Sequence, residues 1–227
     1  MPRKPTIRTK LYPYHVVARS HNKKWFNLPI YVMWEIYNEI LKDLCREEGA
    51  KVIAFVLMNN HFHLMLWTPR ENIDKVMYWL MKRSTHEVQK RTGDINSIYG
   101  GRYKSSLLTK VQYQYNCYKY ILRNPVVAGL SSLVQDYPFS TFHYIYFNKT
   151  LSFEIFDESL PNLFGTTYAL ESWLNKGYTD KEARSIKAGL SKNEFEYAKC
   201  DSSRKFIIPS MNTYSRDAMH PEKYPGT

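Results

Sequence analysis

Cysteine is scarce in this sequence. Three occur in 227 residues, Cys45, Cys117 and Cys200, with no CxxC pair among them. That excludes a disulfide framework and a cysteine-rich zinc site. Glycine (9) and proline (11) are too few for a collagen-like or linker protein. No apolar run approaches the ~18 residues that a membrane-spanning helix needs. The first residues, Met1-Pro2-Arg3-Lys4-Pro5, lead into more polar and basic residues rather than an apolar stretch, so no secretory signal is expected. The chain reads as cytoplasmic, with no membrane partner.

Acidic residues are also in short supply, 21 against 32 basic ones, for a net charge of +11. The imbalance is local. Residues 1–24 carry seven basic side chains and no acidic one, and residues 75–110 carry eight basic against two acidic. Two basic blocks suit a polyanionic partner, nucleic acid first among them. Nineteen tyrosines, 11 phenylalanines and 5 tryptophans add surfaces on which bases could stack, though most must be core.

The hydrophobic pattern gives an order of elements. Tyr14 to Arg19 is a short β-branched run. After Pro29, residues Met33, Ile36, Tyr37, Ile40, Leu41 and Leu44 repeat at helical spacing, with Gly49 as a stop. Lys51–Leu57 and His61–Trp67 are two apolar strands around Met58-Asn59-Asn60. Asparagine tolerates positive φ, so a hairpin is expected there. A helix from about Asn72 to Arg91 carries Ile73, Val76, Met77 and Leu80 on one stripe before Gly93. Arg102–Leu108 reads as a strand, and Val111–Arg123 as a helix ending ahead of Asn124-Pro125. The order β-α-β-β-α-β-α predicts an α+β, ferredoxin-like split βαβ fold. Residues 1–150 form the main domain in this reading. Residues 151–227 form an appended, mostly helical extension with a partly ordered tail.

The chemistry concentrates at His61-Phe62-His63. On a strand both imidazoles point to one face and Phe62 to the other, which makes a two-ligand metal platform. The plain alternative is two polar residues on a solvated sheet face. Tyr120 and Asn124 are four apart, on one helix face. The Asn124 amide oxygen could add a third ligand and bring the Tyr120 phenol near the ion. The plain alternative is a core tyrosine and an asparagine capping the helix before Pro125.

His61-Phe62-His63, Arg102-Tyr103-Lys104, the segment Tyr120 to Leu130 (YILRNPVVAGL) and Tyr137-Pro138-Phe139-Ser140-Thr141 occur in one order. Together they resemble the REP-associated tyrosine transposases of bacteria, within the single-tyrosine HUH (IS200-like) transposases. The resemblance covers about residues 14–146. It implies an HUH-endonuclease fold, with His61, His63 and Asn124 holding a divalent ion, Mg2+ or Mn2+. Tyr120 would be the nucleophile that cleaves single-stranded or hairpin DNA through a 5′-phosphotyrosine link. The implied partners are DNA of repetitive palindromic elements, for a monomer or homodimer associated with the nucleoid. Arg3, Lys4, Arg8, Lys10, Lys82, Arg83, Arg102 and Lys104 are candidates for phosphate contacts. Two other readings compete: a hairpin-binding protein that no longer cuts, and a metal-dependent hydrolase using Asp94, Glu87 or His86 as base.

Overall fold

A computed structural model describes residues 5–156, 164–200 and 203–209. Strand β1 (Tyr14–Arg19) leads to helix α1 (Ile30–Glu48), then the hairpin β2 (Lys51–Met58) and β3 (His61–Trp67), helix α2 (Ile73–Thr92), strand β4 (Lys104–Leu107) and helix α3 (Val111–Val127). The four strands lie in the order β2-β3-β1-β4, antiparallel at every junction. β3 therefore fills the gap between the parallel pair β1 and β2, which is the split βαβ arrangement of an α+β ferredoxin-like fold.

Each helix stops where its backbone chemistry requires. Gly49 (φ 68°) closes α1 by turning the chain so that Ala50 N–H donates to the Leu44 carbonyl, and Gly93 (φ 77°) closes α2 by donating to Gln89. The apolar stripes of both helices are buried on one face of the sheet, against Tyr14, Val16, Phe55, Phe62 and Leu64. On the other face, Ala54, Val56, Met65 and Trp67 pack with α3. β2 serves both cores by its alternation, and its register shifts between Val52 and Ala54. This bulge places Val52, Phe55 and Leu57 in the first core and Ile53, Ala54 and Val56 in the second.

Two local expectations are corrected. The β2–β3 hairpin forms, but neither Asn59 nor Asn60 adopts positive φ. The turn is held instead from outside, by Ser20 N–H donating to the Asn60 carbonyl and Phe26 N–H to that of Asn59. Helix α3 does not end at Arg123 but runs through Pro125 to Val127. A proline in a helix leaves the carbonyl four residues back without its donor. Here the Asn124 side chain supplies one, since Nδ2 donates to Tyr120 O at 2.8 Å and to Ile121 O at 3.3 Å.

The later segments close what the sheet leaves open. Ile155 bridges the outer side of β2 and Glu194 that of β4, so both edge strands are covered. Helices α4 (Thr141–Tyr146), α5 (Thr167–Asn175) and α6 (Asp180–Gly189) follow in chain order. Trp173, Leu174, Ile186 and Phe195 of this region share the second core with α3. The tail reading at Pro221, Pro225 and Gly226 lies outside the described residues. Among the described residues no helix is long and apolar enough to cross a membrane.

Phe62 is fully buried against Tyr37, Phe55 and Tyr99. Phe62→Ala should cost about 3–5 kcal/mol of unfolding free energy, read by urea denaturation. Tyr168→Ala, at a ring 77% exposed, should stay within about 0.5 kcal/mol.

Candidate active site

β3 supplies the centre of the site. Period-2 alternation sends Phe62 into the first core and His61 and His63 to the α3 side, their ring centroids 5.0 Å apart. β1 lies alongside with Val17 opposite His63 and Arg19 opposite His61. His15, two residues back on the same face of β1, reaches diagonally to His63. The contact His15 Nε2 to His63 Nδ1 is 2.9 Å. From α3, Tyr120 sets its ring edge-on to both, with centroids 5.8 Å from His63 and 6.2 Å from His15. Tyr120 thus faces the histidines of its own chain.

The neighbouring side chains define what these groups can do. Asn60 Nδ2 donates to the Lys23 carbonyl at 2.7 Å, which fixes that amide with its oxygen toward His61. Since Oδ1 only accepts, the 2.6 Å contact to His61 Nδ1 requires the proton on Nδ1. The Nε2 lone pair of His61 is then free to bind a ligand. Burial pushes the His61 pKa down to about 4, with the Arg19 charge adding to the effect, and pushes His63 well below its ordinary value. Neutral imidazole is the form that ligates metals. Among the described residues no group of three His, Cys, Asp or Glu could hold an ion. A metal here needs a different third donor. Asn124 lies one turn beyond Tyr120 on α3 with its Nδ2 spent on the helix, and the amide oxygen is the atom left to serve.

Tyr120 differs from the other tyrosines of its helix. Tyr113, Tyr115 and Tyr118 are buried in the second core, whereas Tyr120 is only partly buried at its margin. Its phenol is raised above the ordinary value by burial, while Arg19 draws it back. Arg19 is the site residue that sequence reasoning missed. It is exposed, sits at the end of β1 and acts electrostatically on His61, His63 and Tyr120. Only its place two and four residues beyond Val17 and His15 on one strand face could have signalled it. Asn60, read above only as a turn residue, is the second omission.

The predicted phosphate-contacting residues divide. Arg3 and Lys4 lie outside the described residues. Arg8, Lys82, Arg102 and Lys104 line one open groove of ≈ 1560 Å³ together with Tyr78. Arg8 is paired there with Asp74. Lys10 is exposed, and Arg83 is paired with Glu47 and Asp43. The bases considered for a hydrolase are badly placed. His86 and Glu87 are on α2, which packs on the opposite face of the sheet, and Glu87 is paired with Arg91. Asp94 follows α2 and accepts from Asn27.

The buried histidines give stability a pH dependence. His15, lowered by burial to about 3, binds its proton more weakly in the folded chain than in the unfolded one. The unfolded state therefore takes up more protons below about pH 6.5, and stability falls as pH drops through that range. The urea midpoint should be level above about pH 7 and decline steadily toward about pH 5. A midpoint that rises on acidification would contradict the neutral-ring assignment.

Comparison with known proteins bears on the same residues. A protein of Haemophilus influenzae named as a REP-associated tyrosine transposase is 25% identical over 145 residues, which span 59% of this chain and 80% of the relative. A solved structure of a REP-associated tyrosine transposase bound to a REP hairpin matches with a TM-score of 0.56 at 20% identity, over 70% of this chain and 94% of the other, and shows the fold. The family profile described as Transposase IS200 like matches residues 8–124. That stretch begins ahead of β1, ends on Asn124 and takes in the strand histidines, Arg19 and Tyr120. The chain belongs to the IS200-like transposase family.

Proposed function

We propose that this protein is a REP-associated tyrosine transposase, cutting and rejoining single-stranded or hairpin DNA through Tyr120. The observation that carries this reading is the partly buried Tyr120 phenol set edge-on to His63, itself held neutral by burial, and to His15 beside it. The relative from Haemophilus influenzae bears that name, and the structural neighbour was solved with a REP hairpin. In this reading residues 1–150 form the transposase domain. Residues 151–227 form an extension whose described helices brace α3.

His61, His63 and the Asn124 amide oxygen would hold a divalent ion; the imidazoles also suit Zn2+, the amide oxygen suits Mn2+ or Mg2+, and the family resemblance favours the latter two. Such an ion acts there as a Lewis acid toward a phosphodiester oxygen. Arg19 would add a fixed positive charge beside the same phosphate. The Tyr120 hydroxyl would attack phosphorus. A bond forms from its oxygen to the 5′-phosphate, the bond to the 3′-oxygen breaks, and the phenolic proton ends on the released 3′-hydroxyl. The phosphoester energy stays in the tyrosyl link, so rejoining needs no nucleotide.

Tyr120→Phe should keep DNA binding and lose the covalent protein–DNA adduct entirely, seen as a shifted band on a denaturing gel. Tyr113→Phe should keep both. An adduct that survives in Tyr120→Phe, or maps by mass spectrometry to another tyrosine, would remove Tyr120 from its role. A protein that binds hairpins but yields no adduct in any form would favour the binding-only alternative.

The groove lined by Lys82, Arg102 and Lys104 would carry the backbone of the DNA. Each phosphate contact on a single strand contributes about −0.7 to the slope of log affinity against log salt. The double variant Arg102→Ala, Lys104→Ala should flatten that slope by about 1–1.5 and weaken binding, measured by fluorescence anisotropy at several salt concentrations. An unchanged slope would place the DNA elsewhere.

A further inference from the structure

His15 is spent on no role described so far, yet it is buried, 3% exposed, in direct contact with His63, itself 6% exposed. The ring planes are inclined by only 19° with centroids 5.2 Å apart, the spacing of an end-to-end contact between ring nitrogens. A contact of 2.9 Å between two ring nitrogens holds one proton, so one ring donates and the other accepts. Two assignments are open. In the first, His15 Nε2–H donates to His63 Nδ1, which leaves the His63 proton on Nε2 and closes that nitrogen to any cation. In the second, His63 Nδ1–H donates to His15 Nε2, and His63 Nε2 keeps a lone pair.

The second is the one that leaves His63 Nε2 open to a cation, as the proposed site requires, and a separate observation supplies the acceptor it needs. His15 Nδ1 and Ser106 Oγ are both buried without a hydrogen-bond partner. They belong to residues directly opposite each other in the β1–β4 ladder, on one face of the sheet. Directly opposed side chains start from Cβ atoms about 4.5–5.5 Å apart. The ladder thus sets Ser106 Oγ across from His15 as the unpartnered polar group on the neighbouring strand. An unpartnered buried polar atom costs about 1–3 kcal/mol, so two in one cross-strand pair are best explained as partners. A serine hydroxyl both donates and accepts, and in the second assignment Ser106 Oγ is the acceptor that His15 Nδ1–H requires. With that proton on Nδ1, His15 Nε2 is bare and can only accept, so His63 must donate. His61 is held in the same sense by Asn60, whose oxygen takes the proton of His61 Nδ1.

We propose that His15 is a positioning residue, which with Ser106 holds His63 as its Nδ1–H tautomer, so that the Nε2 lone pairs of both strand histidines are offered to a cation. This rests on the proposed function for its purpose, but its hydrogen-bond order is a property of the protein alone. It also gives each histidine of the pair its own orienting partner, His15 on a neighbouring strand and Asn60 in the hairpin turn. Orienting partners of this kind typically change metal affinity 10–100-fold when removed.

The test has two readouts on the full-length protein. Long-range 1H–15N correlation spectra of the metal-free form report each histidine tautomer, and titration calorimetry with Mn2+ alone reports affinity. Wild type should show His63 as the Nδ1–H form. His15→Leu should lose that fixed tautomer and bind Mn2+ about 10–100-fold more weakly. His15→Gln, whose amide oxygen can accept the same proton, should recover most of the affinity. Ser106→Ala should shift both readouts in the direction of His15→Leu, by less, and keeps the test open should His15→Leu fail to fold. Finding His63 in the Nε2–H form in wild type overturns the proposal. So does a folded His15→Leu with unchanged tautomer and affinity. A wild type with the expected tautomer but no Mn2+ binding supports the orientation by His15 and overturns the metal reading of the site.

Discussion

The site depends on the register of β1 against β3. Because a strand alternates with a period of two, His61 and His63 can leave the core only if Phe62 enters it, and Val17 and Arg19 lie beside them only in the observed pairing. A slip of one residue would send both imidazoles into the aromatic cluster of Tyr37, Phe55 and Tyr99 and turn Phe62 toward the site. The fully buried Phe62 is thus a structural guarantee for its two neighbours. The large apolar penalty for exposing it keeps the histidines where they are.

Helix α3 faces a related demand, since it must present Tyr120 to the sheet at a fixed height. The flank beside Tyr120 is tied to the later part of the chain. Lys119 is buried with its ammonium 4.8 Å from the ring centres of both Trp173 and Tyr178, and burial lowers its pKa to about 8. Arg123 donates to the carbonyls of Leu174 and Asn175, and so satisfies the C-terminal end of α5. Asn116 joins Tyr197 and Tyr178. Asn116 and Arg123 stand about one turn before and after Tyr120 on nearly the same face of the helix, so these contacts brace the turn that carries it.

Charge is distributed with the same separation. The groove beside β4 gathers four of the basic residues picked from sequence, whereas the α1–α2 surface neutralises Arg83 with Asp43 and Glu47. Net charge alone does not make that distinction. An arginine held between two carboxylates offers little to a phosphate, and an unpaired lysine on an edge strand offers its full charge.

Element order, helix stops and the facing of the HxH strand were legible in the sequence because each is encoded locally. Spacings of two and of three to four residues set the strand and helix faces, and Gly49 and Gly93 lie where the stripes end. The pairing of Tyr120 with Asn124 was legible for the same reason. Pro125 misled because a rule about one residue was outweighed by the amide of another, with Asn124 serving the carbonyls that proline cannot. The contacts of His15 with His63 and of Asn60 with His61, and the charge that Arg19 brings to bear on the phenol, were beyond sequence reasoning. They join residues from different strands, or fix a ring through an amide anchored to a third segment at Lys23. Periodicity tells which face a side chain takes. Which partner it meets there depends on strand order and register, and those are decided only when two cores, one on each side of the sheet, are buried together.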